Sequence, residues 1–343
     1  MDTKIVRIIN TTEYSKALDE AANIILSGGL VVFPTETVYG LGGNGLLSDA
    51  AQKIYSAKGR PSDNPLIIHI AEPKDADKYA YTSDIYYRLA EAFMPGPLTV
   101  IMPKRECVPL SVTGGLDTVA VRCPSHTIAH ALIEKCGVPI AAPSANISGR
   151  PSPTDAKYVI EDMDGRVDMI IDGGECEIGL ESTIVKIDGN SLTLLRPGGI
   201  TYDALCCVCD EVKIAPAVLE KLAENEKPLS PGMKYRHYAP NADFVLLEGD
   251  KNDVLSFMIN EQKKNCAVLC YDEELIYLDA SLSISIGASN DLNTQAKKLF
   301  TALREADKLG AKKIYAHLPN LDGLGLALYN RMIRAAAHTI KKV

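Results

Sequence analysis

Apolar positions along the chain change period several times, and the changes predict an alternation of helices and strands. Thr12 to Ser27 carries apolar residues at helical spacing (Ala17, Ala21, Ile24, Ile25), and Gly28-Gly29 ends the run. Leu30–Phe33 then reads as a buried strand. A helix is predicted over Ser48–Ala57 with Ser48 as its cap, a strand over Leu66–Ile70, and a helix over Ile85–Phe93. That helix must stop at Met94-Pro95-Gly96-Pro97, where two prolines forbid continuation. Strands at Leu98–Met102 and Thr118–Arg122 follow, then a helix near His126–Cys136 and a strand end at Pro139–Ala142. Further strands fit Asp168–Ile171, Ser182–Ile187 and Leu192–Leu195. Alternation early and strands clustered later predict an α/β sheet with some antiparallel pairing.

Residues 211–240 change character. Glu and Lys dominate 219–227, and Pro228 to Pro240 holds three prolines and one glycine among aromatic and basic groups: Pro228-Leu229-Ser230-Pro231-Gly232-Met233-Lys234-Tyr235-Arg236-His237-Tyr238-Ala239-Pro240. This is an extended, adhesive segment rather than a flexible Gly/Ser tether. A second pattern begins at Phe244, with strands over Phe244–Leu247, Ala267–Leu269, Ile284–Ile286 and Lys313–Ala316. Helices fit Asp253–Gln262, Thr294–Leu309 and Leu324–Ala337, a small parallel-sheet domain. The expected division is a domain over 1–210, a linker over 211–241 acting as a lid, and a small α/β domain over 242–343.

Composition narrows the function classes. The 343 residues are 46% hydrophobic and 23% charged, ordinary for a globular protein of two domains. No apolar run approaches the ~20 residues needed to span a bilayer, and the first residues lack a signal-peptide pattern, so a cytoplasmic protein is expected. The nine cysteines are scattered, several in apolar runs, which favours buried thiols over disulfides. Cys206-Cys207-Val208-Cys209 contains a CxxC, but its only conceivable partners, Cys266 and Cys270, have CxxxC spacing and flank a strand, so no metal site is assigned. A net charge of −8 argues against a protein that coats nucleic acid, so cations that converge on one place need a specific anionic ligand.

Several segments offer such chemistry. Gly40-Leu41-Gly42-Gly43-Asn44-Gly45 satisfies GxGxxG, yet Pro34 to Tyr39 separates it from the preceding strand, which a dinucleotide fold does not allow. In Ser56-Ala57-Lys58-Gly59-Arg60-Pro61-Ser62-Asp63-Asn64-Pro65, two cations flank one glycine and can bridge a polyphosphate, or they are solvated cations beside a turn. Pro143-Ser144-Ala145-Asn146 follows a buried strand end with the makings of an anion nest, or is an ordinary polar loop. Arg122 closes an apolar strand, a partner for a substrate carboxylate or for a structural salt bridge. Glu181-Ser182-Thr183 and Arg196-Pro197-Gly198 lie at opposite ends of adjacent strands, or at one mouth if the hairpin bends. His69, inside an apolar strand, reads as a satisfied core histidine more readily than as a ligand.

The order of these segments resembles the YrdC-domain family in its two-domain form, the L-threonylcarbamoyladenylate synthases. The resemblance runs from about residue 15 to the end. It is carried by Pro34-Thr35-Glu36-Thr37-Val38-Tyr39-Gly40-Leu41, Lys58-Gly59-Arg60 with Asn64-Pro65-Leu66, Pro95-Gly96-Pro97-Leu98-Thr99, Pro143-Ser144-Ala145-Asn146, Glu181-Ser182-Thr183, Arg196-Pro197-Gly198 and the 230–240 segment. It implies a twisted mixed open sheet of the YrdC type followed by a small Rossmann-like parallel domain. It implies ATP, L-threonine and bicarbonate as substrates, Mg²⁺ with the nucleotide, and threonylcarbamoyl-AMP and pyrophosphate as products. The product would pass to a threonylcarbamoyl transferase complex that modifies tRNA beside the anticodon; direct tRNA binding is not indicated, nor is a membrane. The matching positions imply threonine contacts at Thr35, His69, Arg122, Ala142 and Ser182. They imply ATP contacts at Lys58, Arg60, Asn64, Thr118, Ser144, Ser152 and Arg196, with Tyr235 or His237 reaching over the nucleotide, and Lys58 and Arg60 as catalytic cations. Two rivals carry different footprints: an RNA-binding sheet needs cations spread over one face, and a hydrogenase-maturation carbamoyl transferase adds zinc-binding Cys pairs and an acylphosphatase-like region.

Overall fold

The structure is a computed structural model that describes residues 2–8, 11–220 and 237–343, the backbone alone at 11–13. It divides into two units. The first runs through residue 220 except for Gly149–Ser152 and Ile178–Leu180, which belong to the second unit together with 237–343. Each unit is described by itself.

In chain order the first unit contains β1 (Lys4–Arg7), α1 (Thr11–Leu26), β2 (Val31–Phe33), β3 (Gly40–Asn44), α2 (Ser48–Lys58), β4 (Ile67–His69), α3 (Asp84–Phe93), β5 (Leu98–Pro103) and β6 (Thr118–Arg122). It continues with α4 (Thr127–Cys136), β7 (Ile140–Ala141), α5 (Ala156–Met163), β8 (Met169–Asp172), β9 (Thr183–Asp188), β10 (Ser191–Arg196), α6 (Tyr202–Cys206) and β11 (Val212–Ile214). The strands form one mixed sheet in the order β1-β8-β2-β3-β7-β4-β6-β5-β9-β10-β11. Periodicity predicts most of these elements within two residues. The glycine-rich strand β3, the short edge strands β1 and β11 and the helices α5 and α6 lie outside that reading.

The glycine-rich stretch is itself a strand. β3 pairs antiparallel with β2 and with β7; Gly40 and Gly42 make room for the Phe33 ring, and Gly43 for Leu30, Ala50 and Ile54. A Cβ on Gly42 would lie 2.6 Å from Phe33 Cε1 and 2.7 Å from Ile140 Cγ2. These glycines therefore serve packing within the sheet, not a phosphate turn. α1 and α4 cover this half of the sheet, burying Leu18, Ile25, Ile128 and Leu132 against Val31, Phe33 and Ile171. Each such Leu or Ile contributes about 1.5–3 kcal/mol.

The second unit contains β12 (Asp243–Glu248), α7 (Lys251–Gln262), β13 (Ala267–Cys270), β14 (Ser283–Ser285), α8 (Leu292–Lys308), β15 (Lys313–His317), α9 (Gly325–Ala335) and β16 (Ile340–Lys342). Its five strands are all parallel, in the order β14-β13-β15-β12-β16. Crossover helices between parallel strands explain why the apolar runs there are short and continuous. No helix among the described residues is long and apolar enough to cross a membrane.

Candidate active site

The register of the first sheet builds a polar row on one face. Ile140, His69, Arg122 and Thr99 are successive Cα partners across β7, β4, β6 and β5. Directly paired residues point the same way, so their side chains share a face. Two residues earlier along β4 and β6, Ile67 and Ala120 join Ile101, Ile184 and Leu195 in an apolar cluster. Polar groups thus end an apolar floor, the usual make-up of a small-molecule site.

Arg122 anchors the row. It is buried, and its Nη2 donates to Glu36 Oε1 at 2.7 Å. Glu36 comes from the buried segment after β2. Burial alone would raise its carboxyl, but the Arg122 guanidinium outweighs that and holds it below the usual carboxylate range. Beside them, burial and then the Arg122 charge push His69 down to about 3. His69 is therefore neutral near pH 7, and Ile140 O at 3.2 Å from Nδ1 calls for the Nδ1–H tautomer. Thr35 Oγ1 donates to Val38 O at 2.6 Å and lies 2.9 Å from Thr37 Oγ1, which pins the turn carrying Glu36.

A second chain of polar groups closes the row. Thr99 Oγ1 and Ser182 Oγ are 2.7 Å apart and fully buried. Arg196 donates from Nε to Ser182 O at 3.0 Å and from Nη2 to Ser182 Oγ at 3.1 Å. β9 and β10 are antiparallel, so the start of one and the end of the next meet. Ser182 and Arg196 accordingly stand at one mouth, and the opposite-ends alternative is overturned by the pairing itself.

Lys58 and Arg60 flank the C-terminal cap of α2. Lys58 ends the helix, and Gly59 caps it at φ 61°, in the left-handed region that favours glycine. Lys58 is only 2% exposed, which excludes a solvated surface cation. Its Nζ donates to Ser144 O and Asn146 O, both at 2.5 Å, so it ties α2 to the segment after β7. Arg60 is half-buried and donates from Nη2 to Asn64 O at 3.2 Å and to Pro65 O at 3.1 Å. Asn64 is buried, and its Oδ1 has no partner among the described residues.

The remaining expected residues fall as follows. Ala142 is buried and its N–H donates to Ile67 O at 2.9 Å, next to the Lys58-bound segment. Thr118 opens β6, at the end opposite Arg122 and beside the turn that leads into β4. Ser152 is buried and belongs to the second unit, as does His237. Tyr235 lies outside the described residues. Glu36 and Thr99 are the polar groups that sequence reasoning left without a role. Both stand in motifs that carry the resemblance, and a lone carboxylate between two threonines just after a buried strand was the available signal. Among the described residues, no group of three His, Cys, Asp or Glu side chains is placed to hold a metal ion. The nine thiols are free, six of them buried.

Two family profiles match the sequence. One, described as Telomere recombination and named for Sua5, YciO and YrdC, covers residues 23–198; the other, described as Threonylcarbamoyl-AMP synthase, C-terminal domain, covers residues 200–337. The threonylcarbamoyl-AMP synthase of Pyrococcus abyssi is 46% identical over 334 residues, 94% of this chain and 95% of its own length. That of Bacillus subtilis is 43% identical over 321 residues, covering 92% of each chain. The chain belongs to the threonylcarbamoyl-AMP synthase family. Its structure is similar to a solved threonylcarbamoyl-AMP synthase family member, P. abyssi Sua5 complexed with L-threonine, with a TM-score of 0.91 at 43% identity and all of both chains covered. Escherichia coli YciO, at 24% identity and a TM-score of 0.51, shares the fold over 58% of this chain.

Proposed function

We infer that the first unit condenses L-threonine, bicarbonate and ATP into threonylcarbamoyl-AMP, releasing pyrophosphate and water. The observation that carries this reading is Arg122. A buried guanidinium with five donors makes one side-chain hydrogen bond among the described residues, to Glu36. It has donors left for the carboxylate of a small acid, beside the neutral His69 and the Thr99–Ser182 hydroxyls.

The chemistry asks for positioning more than for a protein nucleophile. The threonine amine adds to bicarbonate-derived CO₂ and gives a carbamate, whose oxygen attacks the α-phosphorus while pyrophosphate leaves. Such a displacement is accelerated by alignment and by charge neutralisation on the phosphates. Thr35, His69, Arg122, Ala142 and Ser182 are proposed to hold threonine. Lys58, Arg60, Asn64, Thr118, Ser144, Ser152 and Arg196 are proposed to hold ATP, with Lys58 and Arg60 neutralising the departing pyrophosphate. The chain offers no carboxylate cage for Mg²⁺ among its described residues. Mg²⁺ is proposed to enter as part of the nucleotide substrate, carried by its phosphates. Carbamate and mixed anhydride are both labile in water, which gives the 230–240 segment, with Tyr235 or His237, a proposed role as lid. The product would serve a transferase complex that modifies tRNA.

Pyrophosphate release from ATP should require threonine and bicarbonate together. An assay coupled to pyrophosphate, with product mass as confirmation, checks this. Equal release with serine, or without bicarbonate, overturns the substrate assignment.

A further inference from the structure

Resting on that reading of the face as an amino-acid site, we propose that Glu36 makes the site select a zwitterion over any other small carboxylate. The geometry is specific. Glu36 and Arg122 are each 4% exposed and meet through a single contact, Nη2 to Oε1 at 2.7 Å. The far atoms of both groups, Glu36 Oε2 and Arg122 Nε, are buried and make no hydrogen bond of good geometry among the described residues, although the backbone N–H groups of Glu36 and Ser125 lie near enough to the carboxylate to help hold it ionised. Leaving such atoms unmet is costly in a folded protein, so two of them on one ion pair mark a place where a ligand completes the bonding.

The charges decide which ligand. Glu36 is held ionised by Arg122, so the pair is neutral as a unit. The adjoining His69 is neutral too, and Arg196, the other cation of the row, is directed at Ser182 through both of its hydrogen bonds there. A ligand bearing only a carboxylate would bring an unbalanced negative charge into this buried place, which is strongly disfavoured. An amino acid brings a carboxylate for the spare donors of Arg122 and an ammonium for Oε2, and the four charges cancel. The same balance keeps bicarbonate, the other small anion of the reaction, from occupying Arg122. Glu36 is assigned recognition only. A carboxylate held below its usual range is a weak base, so it orients the ammonium and does not take its proton; bicarbonate accepts that proton on breaking down to CO₂ and water, and the proton lost as the amine adds to CO₂ leaves to solvent.

Calorimetric titration of the full chain with L-threonine and with β-hydroxybutyrate, which is threonine without its amine, tests the proposal. The wild-type protein should bind L-threonine and reject β-hydroxybutyrate by about 100-fold or more, the loss of one charge-assisted bond plus one unbalanced charge. In Glu36→Gln, threonine should weaken by about tenfold or more while β-hydroxybutyrate binds as well as in the wild type or better. Equal weakening of both ligands would show that Glu36 only orients Arg122 and would overturn the proposal, as would no change in either. Wild-type affinity for β-hydroxybutyrate within about threefold of threonine overturns it without any variant. Should Glu36→Gln not fold, Glu36→Asp, which keeps the charge, must retain the rejection of β-hydroxybutyrate. Failure of the wild-type protein to bind threonine at all would sink the amino-acid reading itself, a separate result.

Discussion

His69 shows how one residue's surroundings set its chemistry. An exposed histidine titrates near 6.5, but here burial and Arg122 take it to about 3. Its folded value lies below its unfolded value, so the unfolded chain binds the proton first. Stability tied to His69 is fully present above about pH 6.5 and is lost as pH falls toward 3. At 1.36 kcal/mol per unit, the loss between pH 7 and pH 5 is about 2 kcal/mol. Glu36 acts in a lower window, below the ordinary carboxylate range, because its value is depressed. Urea unfolding at pH 7 and pH 5 should therefore show a drop in the wild type that is about 2 kcal/mol smaller in His69→Gln, the remainder including His126, which burial also lowers; an equal drop in both would place the titration elsewhere. The sequence displayed His69 as a core histidine and Arg122 as either ligand or salt-bridge partner. It could not display Glu36 as that partner, because the pair is 86 residues apart in the chain and only the folded sheet brings the segment after β2 to the end of β6.

At the level of elements, the period of apolar residues made the long helices and central strands legible, since each buries one continuous stripe or run. β3 was not legible, because a strand of Gly40, Leu41, Gly42, Gly43 and Asn44 has almost no side chains to alternate. Its composition answers to Phe33, whose ring occupies the space that a Cβ on Gly42 would need. The same ring meets His69 edge-on at 6.3 Å, so β3 packing reaches the polar row. Gly42→Ala should cost about 1–3 kcal/mol by overpacking, and Phe33→Leu in the same chain should recover part of it. Denaturant unfolding of the single and double variants measures the coupling; a Gly42→Ala variant as stable as the wild type would show that the ring yields freely. The short edge strands β1, β11 and β16 escaped prediction for another reason. Most of their residues are exposed or half-buried, so backbone pairing rather than an apolar pattern defines them.

At the scale of the whole molecule, two sheets of different construction share one chain. The first is mixed and places its polar row at the ends of central strands; the second is wholly parallel. The residues proposed for threonine all belong to the first unit, whereas Ser152 and His237 belong to the second. Binding to an isolated first unit and turnover by the full chain are thus separable quantities. The 230–240 segment tests which of them the rest of the chain serves. A segment that excludes water from a labile carbamate acts on turnover, and its aromatic and basic side chains carry that role; a tether needs only its length. Replacing 230–236 with Gly and Ser residues at unchanged length keeps the tether and removes the side chains. Product formation should then fall by about tenfold or more, with threonine binding and both unfolding transitions unchanged. Pyrophosphate release should fall less than threonylcarbamoyl-AMP yield, because an open site hydrolyses the anhydride it makes. Equal yields from the replaced and native chains would leave the segment a connector.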